Sequence, residues 1–496
     1  MHGPSHTHPD DAVTANPATS LPVVIQGGMG VGVSGWRLAR AVARAGQLGV
    51  VSGVALDTLI ARRLQRGDEG GHIRHALARF PDPDLAERVL RRYFVAGGIP
   101  PGTPFRPVPR LGLRSNRLRE ELTITANFVE VFLAKEGHDG AVGVNYLEKM
   151  QLATPAAVYG AMLAGVNYVL MGAGVPSEIP ALLDALARHE PARLTVTVDG
   201  ALSGERFTTG LDPARLLGPA LPGPLTRPRF LAIVSAAALA AYLARDERTC
   251  PDGFVLEGPD AGGHSARPRG RMTLTAVGEP VYGPRDRIDL AKVAAIGLPF
   301  WLAGGQADAA RLAAARAAGA AGIQVGTAFA LCRESGLDPQ LRRQILAAAT
   351  DATLVVRNDA AASPTGFPFK LVHLPGTAAA DDVYADRPRH CDLGYLRTPY
   401  RRPGGDVGYR CPAEPVEEYL RKGGAAGDTT GSRCLCNGLT ATIGLGQLRT
   451  GGYVEPPLVT LGQDTSFLAR LRHRAGADYT AADVIDHLLG AADGDA

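Results

Sequence analysis

The chain is short of cysteine, of aromatic residues and of net charge. Six cysteines in 496 residues are too few for a secreted scaffold held together by disulfides. Aromatics at 6% and a net charge of +3, from 52 basic and 49 acidic residues, give no basic, stacking-rich face, so nucleic acid is not an expected partner. Arginine greatly outnumbers lysine but is scattered along helical stretches and not clustered. No run of about eighteen apolar residues occurs, because even the alanine-rich stretch 230–243 stops at Arg245, and no membrane span is expected. The first twenty residues, rich in His, Pro and Asp, lack a hydrophobic signal core. They are read as a disordered arm over 1–20 of a cytoplasmic protein.

Apolar residues (45%), 61 Gly and 37 Pro are plentiful: enough for a large core with frequent turns. An apolar run at 21–25 meets a glycine-rich segment at 26–32. Ser34 is then placed to cap a helix with Trp36, Leu38, Ala39, Val42 and Ala43 at helical spacing. The same strand, loop, helix order recurs at 48–52, 141–144, 166–171, 230–234, 254–256, 299–303 and 322–325, and alternating β and α implies a parallel sheet. A ninth candidate, 194–198, is one more than a closed (β/α)8 TIM barrel needs, so it is assigned to an excursion. The expected organisation is a barrel over 21–350, a helical insertion over 58–139 capping its mouth, and an irregular Cys-containing C-terminal extension over 351–496 packed on the barrel.

Three motifs carry possible chemistry. Gly30-Val31-Gly32-Val33-Ser34-Gly35, with Asp57 beyond it, fits a dinucleotide-binding fingerprint, but so would a tight barrel turn in so glycine-rich a chain. Glu257-Gly258-Pro259-Asp260-Ala261-Gly262-Gly263-His264 follows an apolar strand. There, small residues let backbone approach a planar ligand while His264 projects from the strand end, a position suited to catalysis. Ala303-Gly304-Gly305 and Gln324-Val325-Gly326-Thr327 end successive strands and can hold a phosphate through backbone N–H groups and a following helix N-terminus.

With Gln26-Gly27-Gly28-Met29, Gly143-Val144-Asn145 and Gly172-Ala173-Gly174-Val175-Pro176, these motifs occur in the order seen in the nitronate monooxygenase family, to which flavin-dependent enoyl reductases are related. The chain resembles that family over residues 21–329, and the resemblance decides against the dinucleotide fold. It implies an FMN-binding barrel. Gln26, Gly27, Gly28, Met29 and Asn145 would line the flavin ring, with Gly174 nearby. Glu257, Gly262 and Gly263 would meet the ring and ribityl chain. Gly304, Gly305, Gln324, Val325, Gly326 and Thr327 would hold the phosphate, and His264 falls on the catalytic histidine. The family usually has Gln at position 257 and Glu at position 260, and its compact members lack the insertion and the tail.

The activity implied is oxidation of alkyl nitronates by dioxygen to carbonyl compounds and nitrite. An NAD(P)H-dependent enoyl-thioester reductase, with the insertion docking a carrier protein, is the alternative in the same fold. A non-catalytic flavin- or metal-binding partner protein is the alternative from another class. Four tail cysteines, Cys391, Cys411, Cys434 and Cys436, could hold zinc or an iron–sulfur cluster, although their spacing fits no C-x-x-C knuckle.

Overall fold

A computed structural model describes residues 21–490; the arm expected over 1–20 lies outside the described residues. Eight short strands, β1 (Val24–Gln26), β2 (Gly49–Ser52), β3 (Val142–Leu147), β4 (Tyr168–Gly172), β5 (Arg229–Val234), β6 (Gly253–Glu257), β7 (Phe300–Ala303) and β8 (Gly322–Val325), form one parallel sheet. Neighbours pair in chain order and β8 pairs with β1. Gln26 N–H donates to Leu48 O (3.0 Å) and Leu48 N–H to Val24 O (3.1 Å), which closes the circle between β1 and β2. This is a (β/α)8 barrel. Its interior is filled by Ile25, Leu48, Val50, Tyr168, Leu170, Leu231, Val255 and Trp301. Such filling leaves only the strand ends free to bind anything.

The candidate strand at 194–198 appears as Ala192–Thr195, paired antiparallel with Thr208–Leu211 in a separate hairpin outside the barrel. Ser34 does not cap the first helix, α1 (Trp36–Arg44), whose N-cap is Gly35. Its hydroxyl instead accepts the Met29 N–H (2.8 Å) and pins the loop after β1.

The stretch 58–139 supplies a ring helix. Helices α2 (Leu56–Gln65), α3 (His72–Leu77) and α4 (Pro83–Tyr93) lead to α5 (Arg117–Lys135). The last of these packs between α1 and α6 (Thr154–Leu163) as the ring helix that joins β2 to β3. Most of α5 is buried, and it also packs against α2. The other end of the ring is also unexpected. The helix Ala481–Leu489 fits between α1 and Ala309–Ala317, so the eighth ring helix comes from the tail.

A buried polar knot ties these layers. Asp57 on α2 forms an ion pair with Arg119 on α5, and the Tyr395 hydroxyl of the tail donates to Asp57. Thr58 Oγ1 lies 2.5 Å from the same hydroxyl. Burial holds the Tyr395 phenol well above its ordinary range, so it stays a donor. Removing one partner leaves a buried, uncompensated charge. Asp57→Ala should therefore cost about 3–5 kcal/mol, read as a lower midpoint in urea denaturation. A change of less than about 1 kcal/mol would show that the knot is solvated.

Candidate active site

Every strand points its C-terminal end at one face, and three adjoining cavities open there. An inner cavity of about 150 Å³ is lined by Gly28, Asn145, Glu257, Gly262, Gly263, His264 and Gln324, with Tyr146, Met150, Phe369, Leu396 and Leu439 as its apolar wall. A second, of about 140 Å³, shares Gly28, Glu257, Gly262, Gly263 and Gln324 with the first. It adds Gly27, Met29, Gly304, Gly305, Val325, Gly326 and Thr327. An outer vestibule of about 600 Å³ is reached past Glu257 and His264 and includes Gly174. One of the expected residues sits differently. Gln26 lines none of these cavities: its amide accepts the Val50 N–H (3.0 Å) and donates to Val50 O (3.1 Å), stitching β1 to β2. Gly174 faces the vestibule beside Glu148, whose carboxylate any Cβ there would strike.

The glycines at the narrow end are required by the backbone. Gly304 and Gly305 have φ of +89° and +63°, where a side chain is strained, and a Cβ on Gly262 would come 2.9 Å from the Gly462 nitrogen. Gln324 Oε1 is buried there without a hydrogen-bond partner. A buried acceptor left unmade is costly, so it points to a donor supplied by a bound group. The helix after β8, Thr327–Ala330, is only four residues long, so anion binding would rest on loop N–H groups rather than on a helix terminus. Asp260 and Asp464 also line this end. A flavin chain with both hydroxyls and a phosphate fits such a mixture of carboxylates and backbone donors.

Tail residues build much of the site. The strand Phe369–His373, paired with Val355–Asp359, lies along the loop after β6: Lys370 N–H donates to Gly263 O (3.0 Å) and Ser265 N–H to Pro368 O (2.9 Å). Gly263 N–H donates to Thr460 Oγ1 (3.0 Å), and Gly462 N–H to Thr327 Oγ1 (2.9 Å). Sequence reasoning missed Ser363, Phe369, Lys370 and Thr460. One signal was present, a lysine inside the apolar run Phe369-Lys370-Leu371-Val372 of a lysine-poor chain.

The electrostatics separate three groups. His264 Nε2 lies 2.7 Å from Ser363 Oγ, which lies 2.8 Å from Thr365 Oγ1, and the imidazole meets Phe369 edge-on. Burial pulls His264 down to about 4, so the ring is neutral at physiological pH. Burial pushes Glu257 up to about 7 against the pull of Lys370, and burial lowers Lys370 to about 8 against the pull of Glu257. Lys370 Nζ donates to Ser265 Oγ (2.8 Å) and to Pro259 O.

The four tail cysteines come together around one small void. However, among the described residues no group of three or more His, Cys, Asp or Glu is placed to hold a metal ion. The metal site expected there, for zinc or an iron–sulfur cluster, is not formed among the described residues. Among the described residues, no helix is long and apolar enough to cross a membrane.

Fold and cleft together define a barrel enzyme scaffold with its site at the C-terminal face of the strands. Residues 225–363, from before β5 to Ser363, match the family model for nitronate monooxygenase. A probable nitronate monooxygenase of Bacillus subtilis (strain 168) is 37% identical over 116 residues, 23% of this chain and 31% of that protein. A (3aS,4S,5R,7aS)-5-hydroxy-7a-methyl-1-oxo-octahydro-1H-indene-4-carboxyl-CoA dehydrogenase of Mycobacterium tuberculosis is 34% identical over 104 residues, 21% of this chain and 26% of that protein. The chain thus spans less than a third of either relative. Among solved structures, FabK of Thermotoga maritima aligns at 17% identity and a TM-score of 0.45, covering 96% of this chain and 93% of that one. Nitroalkane oxidase of Streptomyces ansochromogenes aligns at 17% and 0.43, covering 95% of each.

Because His264 falls from an ordinary 6.5 to about 4 in the folded protein, the fold favours the neutral ring. That contribution to stability is present above about pH 6.5 and is lost as pH falls towards 4. His264→Asn should flatten stability between pH 6.5 and 4 in urea melts. An unchanged slope would mean that other groups set it. Lys370→Met should move the Glu257 carboxyl above about 7, seen by infrared titration of its protonated C=O band. A downward shift would show that the lysine does not act on Glu257.

Proposed function

We propose that the protein is an FMN-dependent oxidoreductase that oxidises alkyl nitronates with dioxygen to carbonyl compounds and nitrite. The observation that carries this reading is the pairing, at one cleft, of a glycine cradle holding an unpartnered Gln324 acceptor with a neutral His264 and a near-neutral Glu257. Gly304, Gly305, Val325, Gly326 and Thr327 would hold the phosphate, and Gly27, Gly28, Met29, Asn145, Gly262 and Gly263 would bound the ring and its chain. FMN, when bound, supplies one-electron chemistry towards a carbanion.

The chain's own residues divide the remaining work. Ser363 engages His264 Nε2 and leaves Nδ1 to face a nitro oxygen, so the imidazole orients and polarises the substrate. A histidine at about 4 is a weak base, whereas a carboxylate near 7 is suited to removing the α-proton of a neutral nitroalkane. Of the two roles open to a catalytic histidine here, hydrogen-bonding the nitro group and taking the α-proton, the first stays with His264 and the second goes to Glu257. Phe369, Leu396 and Leu439 line the inner cavity and keep water from the carbanion.

A second reading, NAD(P)H-dependent reduction of an enoyl thioester delivered on a carrier, is favoured by the vestibule, at about 600 Å³ far larger than a small nitronate needs. The carboxyl-CoA substrate in the second relative's name is consistent with it. Turnover of propyl nitronate with oxygen, against turnover of crotonyl thioester with NADPH, separates the two. Retained flavin with neither activity would make the protein a binding partner.

FMN should copurify and show flavin absorption, and Gly305→Asp should lose it. The substitution forces a side chain into positive φ and adds a third carboxylate beside Asp260 and Asp464. Glu257→Gln should lower turnover of neutral nitroalkanes by about 10²–10⁴-fold and spare preformed nitronates, whose proton is already gone. His264→Asn should impair both substrates. Equal losses on both substrates for Glu257→Gln would remove the base from Glu257.

A further inference from the structure

A further cavity, of about 560 Å³, shares no lining residue with the three that open at the barrel mouth. It lies where the first turns of α5 and α6 meet the hairpin of Ala192–Thr195 and Thr208–Leu211. Six arginines and two carboxylates line it. Two of the arginines are matched, Arg117 with Glu121 and Arg119 with Asp57. Arg110, Arg114, Arg193 and Arg215 form no ion pair with any described residue, and the Arg215 guanidinium donates to Ser115 Oγ (3.2 Å). The carboxylates are engaged close by: Glu120 accepts from Ser115 Oγ (2.7 Å) and Asp212 from the Arg215 N–H (3.1 Å).

Four unmatched guanidinium groups around one hollow raise its potential and draw anions into it. The backbone acts in the same direction, because α5 (19 residues) and α6 (10 residues) both border the cavity with their positive ends. The first turn of α6 has neither an acidic residue nor a side-chain cap to offset that charge. Guanidinium forks match phosphate oxygens in pairs, which favours phosphate over a smaller anion. A volume of this size is that of a cofactor site, and Leu111, Leu152, Leu211 and Leu216 supply an apolar wall for a base or ribose. An acidic protein would be met by arginines spread over an open face. Here they surround a hollow.

The vestibule of the flavin cleft is next door. Arg193 stands two positions before Thr195 on one strand, and Leu152 follows Gln151; Thr195 and Gln151 line the vestibule while Arg193 and Leu152 line this cavity. We propose that the cavity binds the phosphates of an adenine nucleotide that carries phosphate both at the 5′ position and on a second ribose oxygen. The choice of nucleotide rests on the enoyl-thioester reading, since NADPH, the reductant of that reaction, and a coenzyme A thioester both end in this group. Its phosphates would sit among Arg110, Arg114, Arg193 and Arg215, with its reacting end directed to the vestibule.

The test is calorimetric titration of the whole protein, with FMN added, at low ionic strength. Adenosine 3′,5′-bisphosphate or adenosine 2′,5′-bisphosphate should bind at one site per chain, more weakly as salt is raised, and adenosine should not bind. Tighter binding of the first isomer assigns the site to coenzyme A thioesters, and of the second to NADPH. Arg114→Glu and Arg193→Glu, both at exposed positions, should each weaken binding about tenfold or more and leave the flavin absorption and far-ultraviolet circular dichroism unchanged. Turnover of crotonyl thioester is measured separately: bisphosphate binding without turnover would sink the enoyl-thioester reading and leave the site standing. Absence of heat with either isomer at about 1 mM, or binding that both arginine variants retain at wild-type strength, would overturn the proposal.

Discussion

A loop that runs Gly262-Gly263-His264 has little conformation of its own, and everything at the mouth of this barrel depends on something else holding it still. That something is main-chain pairing with the tail: Lys370 N–H to Gly263 O on one side, Ser265 N–H to Pro368 O on the other, with Thr460 accepting from Gly263 N–H. Glycine gives the backbone freedom to approach a planar ligand, at an entropic cost when it is ordered. The hydrogen bonds offset that cost only because the tail strand is itself fixed by Val355–Asp359 and by the packing of Leu371 and Leu435.

The same strand sets the charge of the site. One backbone segment carries Phe369 to the His264 ring and Lys370 to within reach of Glu257. Burial alone would neutralise Glu257 further and would strip the proton from Lys370. Together the two stay close to the point where either can change its charge near neutral pH. Such mutual adjustment is how enclosed sites acquire groups poised for proton transfer.

Much of the barrel was legible in the sequence, because most strands are short apolar runs closed by glycine, as in Gly322–Val325 before Gly326 and Phe300–Ala303 before Gly304. Local pattern carries that information. It could not show that Ser34 would turn back to Met29 instead of capping α1, since both uses satisfy one hydroxyl. Nor could it show that α5 belongs to the ring, because α5 is separated from β2 by three helices that are not ring helices. The tail was least legible. Phe369–His373 reads as a strand, but its second neighbour, the loop after β6, lies about a hundred positions earlier, and a pairing that distant leaves no trace in the run itself. Their number raised the possibility that Cys391, Cys411, Cys434 and Cys436 meet, and they do line one small void, but sequence could not show that they are not placed to hold a metal.

The ring helix Ala481–Leu489, seated between α1 and Ala309–Ala317, imposes an order of events. During synthesis the first seven ring helices can pack as they emerge, but the gap beside α1 stays open until residues beyond 480 have left the ribosome. Closing it joins segments more than four hundred positions apart, a contact of very high sequence separation and so a slow one to form. Until then the flank of α1 that this helix covers has no cover, and a nascent chain in that state is exposed to aggregation.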